Sequence, residues 1–263
     1  MRSALLNIMV QAATKAGRNL AKDFGEVENL QVSVKGPADF VSNADRRAEQ
    51  IVFEELQKAR PTYSFLGEEG TEVKGSDGQH RWIVDPLDGT TNFLHGIPMF
   101  ACAIALERNE EIVASVIYNP IMDELFTAEK GGGAWLNDRN RLRVAARKHL
   151  ADAVIVTGIN SQGRALDVLQ LKQLTQVVPA VAGIRRTGSA STDLAWLAAG
   201  RFDGYWEAGL KPWDVAPGML MVREAGGTTS DYAGTTGSVW NGQVISGNEN
   251  IQGQLLKIVK AVK

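Results

Sequence analysis

The chain has 263 residues, with 28 Lys plus Arg against 30 Asp plus Glu and a formal net charge of −2. That near balance excludes a generally basic nucleic-acid binder, and 44% apolar with 22% charged residues excludes a disordered acidic chain. One cysteine forbids an intramolecular disulfide, and with three scattered histidines it leaves no Cys/His zinc site of usual spacing, so any bound metal must rely mainly on oxygen.

Leu5, Ile8, Met9, Ala12, Ala13, Ala16 and Leu20 recur at helical spacing, which predicts an amphipathic first helix; Asn7 and Gln11 interrupt any signal-peptide pattern. A polar, strand-like passage follows over 26–41, then a helix over 45–58 with Ser42 as N-cap and Pro61 beyond its end. Strands are predicted at 63–66 and 81–84 with a polar loop between them, and successive antiparallel strands at 99–106, 112–118 and 124–128. Asn109-Glu110 and Met122-Asp123 sit near their turns; the Gly131-Gly132-Gly133 triplet precedes further short segments at 134–136 and 142–144. The second half reads as a strand at 153–157, a helix at 165–176, a strand at 182–185 and a helix at 189–199 stopped by Gly200. A strand at 202–207, a helix capped by Asp214 and stopped by Gly226-Gly227, and a final helix at 250–262 complete it. Strands and helices without strict alternation predict a layered α+β architecture. A soft boundary near residue 147 divides an N-terminal half (1–147) from a C-terminal half (148–263) of one compact unit. The longest charge-free run, 89–106, carries Thr, Asn, His, Gly and Pro, so no membrane span is predicted and a cytoplasmic protein is expected.

The chemistry concentrates in Trp82-Ile83-Val84-Asp85-Pro86-Leu87-Asp88-Gly89-Thr90-Thr91-Asn92-Phe93. An apolar strand delivers Asp85 to its end, Pro86 stiffens the exit, and Asp88 can point to the same side with the Leu87 carbonyl between. Carboxylates and a carbonyl converging this way supply the hard oxygen ligands that Mg²⁺ prefers. Gly89, Thr90 and Thr91 would open a helical turn whose free N–H groups face an anion. Taken alone, Asp85 and Asp88 read as an Asx-turn and a helix cap, Gly67-Glu68-Glu69-Gly70 as a solvated turn, and Asp214 as an N-cap. Their co-occurrence beside the twelve-residue string favours a metal-assisted phosphoryl-transfer site.

With these motifs, together with Trp213-Asp214-Val215-Ala216 and Glu224-Ala225-Gly226-Gly227, the chain resembles the inositol monophosphatases of the metal-dependent, lithium-sensitive phosphatase superfamily. Lys35-Gly36, Asp39-Phe40-Val41 and Arg185-Arg186-Thr187-Gly188-Ser189-Ala190 bring it nearest the bacterial inositol-1-monophosphatase branch. The resemblance implies an αβαβα sandwich, a homodimer and hydrolysis of myo-inositol 1-phosphate or related monophosphates by in-line attack of a metal-activated water. It implies that Glu68, Asp85 and the Leu87 carbonyl hold one Mg²⁺; Asp85, Asp88 and Asp214 hold a second; a third sits near Glu68. Thr90 and Asp45 would pair beside the water, with Glu68 as another proton acceptor. Asp88, Gly89, Thr90, Glu207 and Lys35 would contact substrate or its phosphate, Glu207 at a ring hydroxyl. Metal clamping of the attacking and leaving oxygens needs no Ser or Cys nucleophile, which suits a chain with no Gly-x-Ser-x-Gly elbow and only Cys102.

Sister phosphatases acting on fructose 1,6-bisphosphate, histidinol phosphate, an adenosine bisphosphate or NADP form the enzymatic alternative, with Arg185 and Arg186 as a second anionic anchor. The same arginine pair resembles a segment of bacterial relatives that take part in transcription antitermination, an added role with a transcription-factor partner. Direct nucleic-acid binding is not expected. His80, His95 and His149 are isolated, and the glycine triplet lacks the context of a dinucleotide fingerprint.

Overall fold

The apolar stripe of the first helix meets that of the second, and both are laid over one face of a large sheet. The computed structural model describes residues 2–25, 32–36, 39–159 and 165–262, with backbone alone at 32–36, 39–42 and 165–167. Helix α1 (Ala4–Phe24) starts where Ser3 Oγ accepts the Leu6 N–H at 3.1 Å, and it buries Leu6, Met9, Ala12, Ala13, Ala16 and Leu20. After the hairpin β1 (Val32–Gly36) and β2 (Asp39–Ser42), α2 (Asn43–Ala59) begins two residues earlier than predicted, so Ser42 ends a strand and directly precedes the helix.

The eight-stranded sheet comprises β3 (Ser64–Gly67), β4 (Glu72–Val73), β5 (His80–Asp88), β6 (Ala101–Arg108), β7 (Glu111–Asn119), β8 (Glu124–Glu129), β9 (Gly133–Leu136) and β10 (Asn140–Arg141). Its order is β10-β9-β8-β7-β6-β5-β3-β4, antiparallel except for β3 beside β5. Asn109 and Glu110 both take positive φ, 51° and 64°, the twist-matched hairpin turn expected of that pair. Asn137 and Asp138 do the same at 51° and 58°, so the strand expected at 142–144 lies earlier, at β10, immediately after that tight turn.

The five-stranded sheet, order β12-β11-β13-β15-β14, uses β11 (Val154–Thr157), β12 (Gly183–Arg185), β13 (Gly204–Ala208), β14 (Thr228–Ser230) and β15 (Gln243–Gly247). Helices α5 (Ala190–Ala198) and α6 (Pro212–Glu224) lie between the sheets, and α4 (Ala165–Val177) and α7 (Glu249–Ala261) cover the outer face of the smaller one. The layers are therefore α1α2, sheet, α5α6, sheet, α4α7: the predicted αβαβα sandwich. A buried apolar cluster fills each side of each sheet, the central one joining Ile83, Val156, Leu194, Tyr205 and Met219. Strands β14 and β15 have no counterpart in the sequence reading, because the surrounding segment is rich in glycine and polar turn residues that mask the Val244-Ile245 pair.

The central layer is tight. A Cβ placed on Gly218 of α6 would stand 2.4 Å from the Leu194 Cβ of α5, an atom that no rotamer change can move. Gly218→Ala is therefore expected to cost about 1–3 kcal/mol of overpacking, offset by about 1 kcal/mol of helix propensity. A lower urea midpoint at unchanged m-value is the expected result, and a midpoint raised by the helix-propensity gain would contradict the close approach.

Candidate active site

Strand β5 carries the site at its far end. Trp82, Ile83 and Val84 are fully buried, and the sequence predicts that the chain leaves the sheet at Asp85. Instead β5 continues to Asp88: Asp85 lies opposite Ala103 and Asp88 opposite Ala101, so three steps on β5 span two on β6. This bulge holds Pro86, whose missing N–H is tolerated where the ladder is already interrupted. The Leu87 N–H donates to Asp85 Oδ1 at 3.0 Å, the Asx geometry of the plain structural reading, and Thr90 Oγ1 donates to the Leu87 carbonyl at 3.1 Å. Gly89 then turns with φ 99°, where a Cβ would meet the Met99 carbonyl at 2.8 Å, and the short helix α3 (Thr90–Leu94) follows.

Asp88 is anchored from the other half of the chain. Its Oδ2 accepts from Ser189 Oγ at 2.7 Å, and from the Ser191 amide at 2.6 Å and hydroxyl at 2.5 Å, all at the start of α5. Burial pushes its carboxyl up, and these hydrogen bonds pull back down. Asn92 fastens the same junction, its amide donating to the Met99 carbonyl at 2.7 Å and the Thr187 carbonyl at 2.8 Å. Ser189 is a legible helix cap, but nothing in the sequence marked Ser189 or Ser191 as the holders of Asp88.

Glu68, Asp85, Asp88 and Asp214 crowd one another electrostatically. Asp85, 1% exposed, is held well above the usual carboxylate range by burial, then by the charges of Glu68, Asp88 and Asp214 and a side-chain hydrogen bond with Glu68. Asp214 is raised the same way, by burial and by Glu68 and Asp88. It is not the N-cap that the sequence predicts: α6 starts at Pro212, Lys211 is the cap, and Asp214 Oδ2 accepts the Lys211 N–H at 2.7 Å from the third helical position. Pro217 accordingly lies inside the helix and not in the first turn, so α6 forgoes its bond to the Trp213 carbonyl. Among the described residues, no three Asp, Glu, His or Cys side chains already surround a common point as metal ligands. The donor set nevertheless fits a divalent cation, since hard carboxylate oxygens beside a carbonyl are packed against their own repulsion, which a dication would relieve.

A further acidic group borders this cluster. Glu207 on β13, half-buried, accepts from Tyr205 OH at 2.8 Å and from the Gly158 amide, and a Cβ on Gly158 would fall 2.0 Å from its Oε1. Burial chiefly, with Asp88 adding, pushes it to about 7 against the pull of Tyr205, Arg186 and Gly158. Asp193, 1% exposed and bonded to Thr187 Oγ1, is raised by burial and by Glu207 and Asp88, and no local motif in the sequence marks it. Arg186 is exposed, and its charge opposes the shifts of both acids. Asp45 is buried in the first turn of α2 and is engaged there, while the hydroxyl proton of Thr90 goes to the Leu87 carbonyl. The Lys35 side chain lies outside the described residues; its backbone is in β1. Cys102 is buried with its thiol pushed up to about 12 by desolvation, which removes it as a nucleophile. His80 stacks on Tyr63 and bonds Asp77, away from the acids.

The model of the inositol monophosphatase family matches residues 1–263. An inositol-1-monophosphatase of Rhizobium meliloti (strain 1021) is 63% identical over 259 residues, covering 98% of this chain and 97% of the relative. A Nus factor SuhB of Pseudomonas aeruginosa is 42% identical over 260 residues, covering 97% and 96%. The crystal structure of the extragenic suppressor protein suhB from Bartonella henselae superposes with a TM-score of 0.95 at 58% identity, covering 98% of this chain and 99% of that one. A chain matched from end to end, with the αβαβα layers and an acidic cluster at the β5 bulge, belongs to the inositol monophosphatase family and is a phosphatase.

Proposed function

We propose that the protein is a Mg²⁺-dependent phosphomonoesterase acting on myo-inositol 1-phosphate and related polyol monophosphates. The observation that carries this reading is the gathering of buried Asp85 and Asp88 with Glu68, hydrogen-bonded to Asp85, and Asp214 at the β5 bulge, where each charge disfavours ionisation of its neighbours. Glu68, Asp85, the Leu87 carbonyl, Asp88 and Asp214 would hold the cations, with Asp85 shared between two of them. Bound Mg²⁺ supplies charge neutralisation for phosphate and a lowered water pKa. Thr90 Oγ1, its proton committed to Leu87, offers lone pairs to a water, and the Glu68 and Asp45 carboxylates are the proton acceptors nearest in role. The Gly89 and Thr90 amides face the phosphate, Lys35 adds charge from the β1 hairpin, and the Glu207 carboxylate receives a ring hydroxyl of the substrate. The protein is proposed to work as a cytoplasmic homodimer, and no described helix is long and apolar enough to cross a membrane.

Hydrolysis of myo-inositol 1-phosphate, fructose 1,6-bisphosphate, histidinol phosphate, 3′,5′-adenosine bisphosphate and NADP, with and without Mg²⁺, tests this directly. The inositol ester should turn over best, only with Mg²⁺, and millimolar lithium should inhibit; better turnover of another substrate would displace the assignment. Asp85→Asn should retain native circular dichroism and lose at least about 10³-fold in kcat/KM, the scale of a lost electrostatic element.

Glu207 offers a pH test. Its folded-state carboxyl lies near 7, above an unfolded value of about 4.3, so folding takes up a proton and stability falls as pH rises from the lower value through the higher. In EDTA at pH 8, Glu207→Gln should be more stable than the parent by about 1–3 kcal/mol, with the gain gone at pH 4. The same variant should raise KM for the inositol ester. No stability gain at pH 8 would contradict the raised carboxyl.

An added non-enzymatic role is favoured by the similarity to the relative named Nus factor SuhB. The exposed Arg185 and Arg186 are the candidate contact with a transcription factor. Pull-down from the native cytosol should recover RNA polymerase components with the parent and fewer with Arg186→Ala; equal recovery would remove the arginine from that role.

A further inference from the structure

The turn that carries Glu68 is organised by a carboxylate from a different element. Glu49 lies on α2, one helical turn beyond Asp45, and is 2% exposed. Its Oε2 accepts the Glu69 N–H at 2.8 Å and its Oε1 accepts the Thr71 N–H at 3.0 Å. Gly67 makes room for it: a Cβ there would stand 2.3 Å from Oε2 and 2.6 Å from the carboxyl carbon. The φ of Gly67 is not among the positive ones, so this glycine is required by the space that Glu49 occupies and not by its own conformation. On the other side, Glu68 N–H donates to the Val84 carbonyl of β5 at 3.1 Å, and Gly67 N–H to the Thr71 carbonyl at 2.8 Å. Glu68 is thus held through its own amide by β5 and through the next amide by Glu49. The two oxygens of one carboxylate suit two such amides at once, with the strength of charge-assisted bonds.

We propose that Glu49 is a positioning residue for the metal centre: its buried carboxylate fixes the 67–71 turn so that the Glu68 side chain is held against Asp85. This rests on the cation-binding role of Glu68 proposed above. Both Glu49 oxygens are taken by backbone amides of the turn, so its effect is on the placement of a ligand, the class of interaction that typically governs metal affinity by about 10- to 100-fold. In Glu49→Gln the amide nitrogen turns a donor toward a backbone donor, so one of the two bonds is lost at nearly constant shape.

Mg²⁺ binding to the metal-free full chain, measured by titration calorimetry without substrate, separates the possibilities when combined with amide hydrogen exchange. Glu49→Gln should keep the native circular dichroism, speed exchange at Glu69 and Thr71, and weaken Mg²⁺ binding about 10- to 100-fold. Its kcat at saturating Mg²⁺ should recover more fully than its activity at limiting Mg²⁺. Glu49→Asp, which keeps the charge on a shorter arm, should fall between it and the parent. A lowered melting temperature with Mg²⁺ affinity within about twofold of the parent would make Glu49 merely structural and overturn the proposal. Unchanged protection at Glu69 and Thr71 would overturn it too, as would failure of both variants to fold. If the parent itself binds no Mg²⁺, the metal role of Glu68 falls first; if it binds and Glu68→Gln does not, that role stands and only Glu49 is on trial.

Discussion

Carboxylates gathered in one place repel, and burial makes that repulsion stronger because little solvent screens it. The structure depends on meeting this cost at Asp85, Asp88 and Asp214, whose charged forms are all disfavoured where they stand. Apolar packing on both sides of each sheet supplies the opposing free energy: Trp82, Ile83 and Val84 lead into the acids on β5, and Val215, Ala216 and Met219 follow Asp214 on α6. A scaffold that rigid keeps like charges from swinging apart. The acids are also tied by short hydrogen bonds, local ones for Asp85 from the Leu87 amide and Asp214 from the Lys211 amide, and long-range ones for Asp88 from two serines at the start of α5.

Those ties define two rings of residues with different legibility. The inner ring sits on strings with local signatures: an apolar strand ending in Asp85-Pro86-Leu87-Asp88-Gly89, a Gly-Glu-Glu-Gly turn, a Trp-Asp pair opening a helix. Chemistry and spacing expose these in one dimension, and the same strings carry the family resemblance. The outer ring does not show. Ser191 reaches Asp88 across 103 positions and Glu49 reaches Thr71 across 22. Such residues act through contacts that exist only after the sheets have assembled.

The differences in element boundaries have related causes. Asp85 reads as a strand end because Pro86 cannot donate to a ladder, and a bulge resolves the conflict by letting the strand rejoin the sheet at Asp88. Asp214 satisfies the chemistry of an N-cap and of the third helical position equally well; Pro212, well suited to the first position, decides for the latter. The layered architecture itself follows readily from mixed strands and amphipathic helices. Strands β14 and β15 escape because three and five residues among glycines and polar turns leave little periodicity to read.

The bond between Asp88 and the start of α5 also has a meaning in time. A chain made from its N-terminus presents β5 and its acids long before Ser189, Ser191 and Asp214 exist. Until α5 and α6 dock between the two sheets, Asp88 lacks its anchors and the cluster lacks its last member. A nascent or truncated chain with the large sheet alone would therefore carry Glu68, Asp85 and Asp88 without Asp214 and without the serine anchors. The four-acid cluster is therefore complete only once the sandwich has closed.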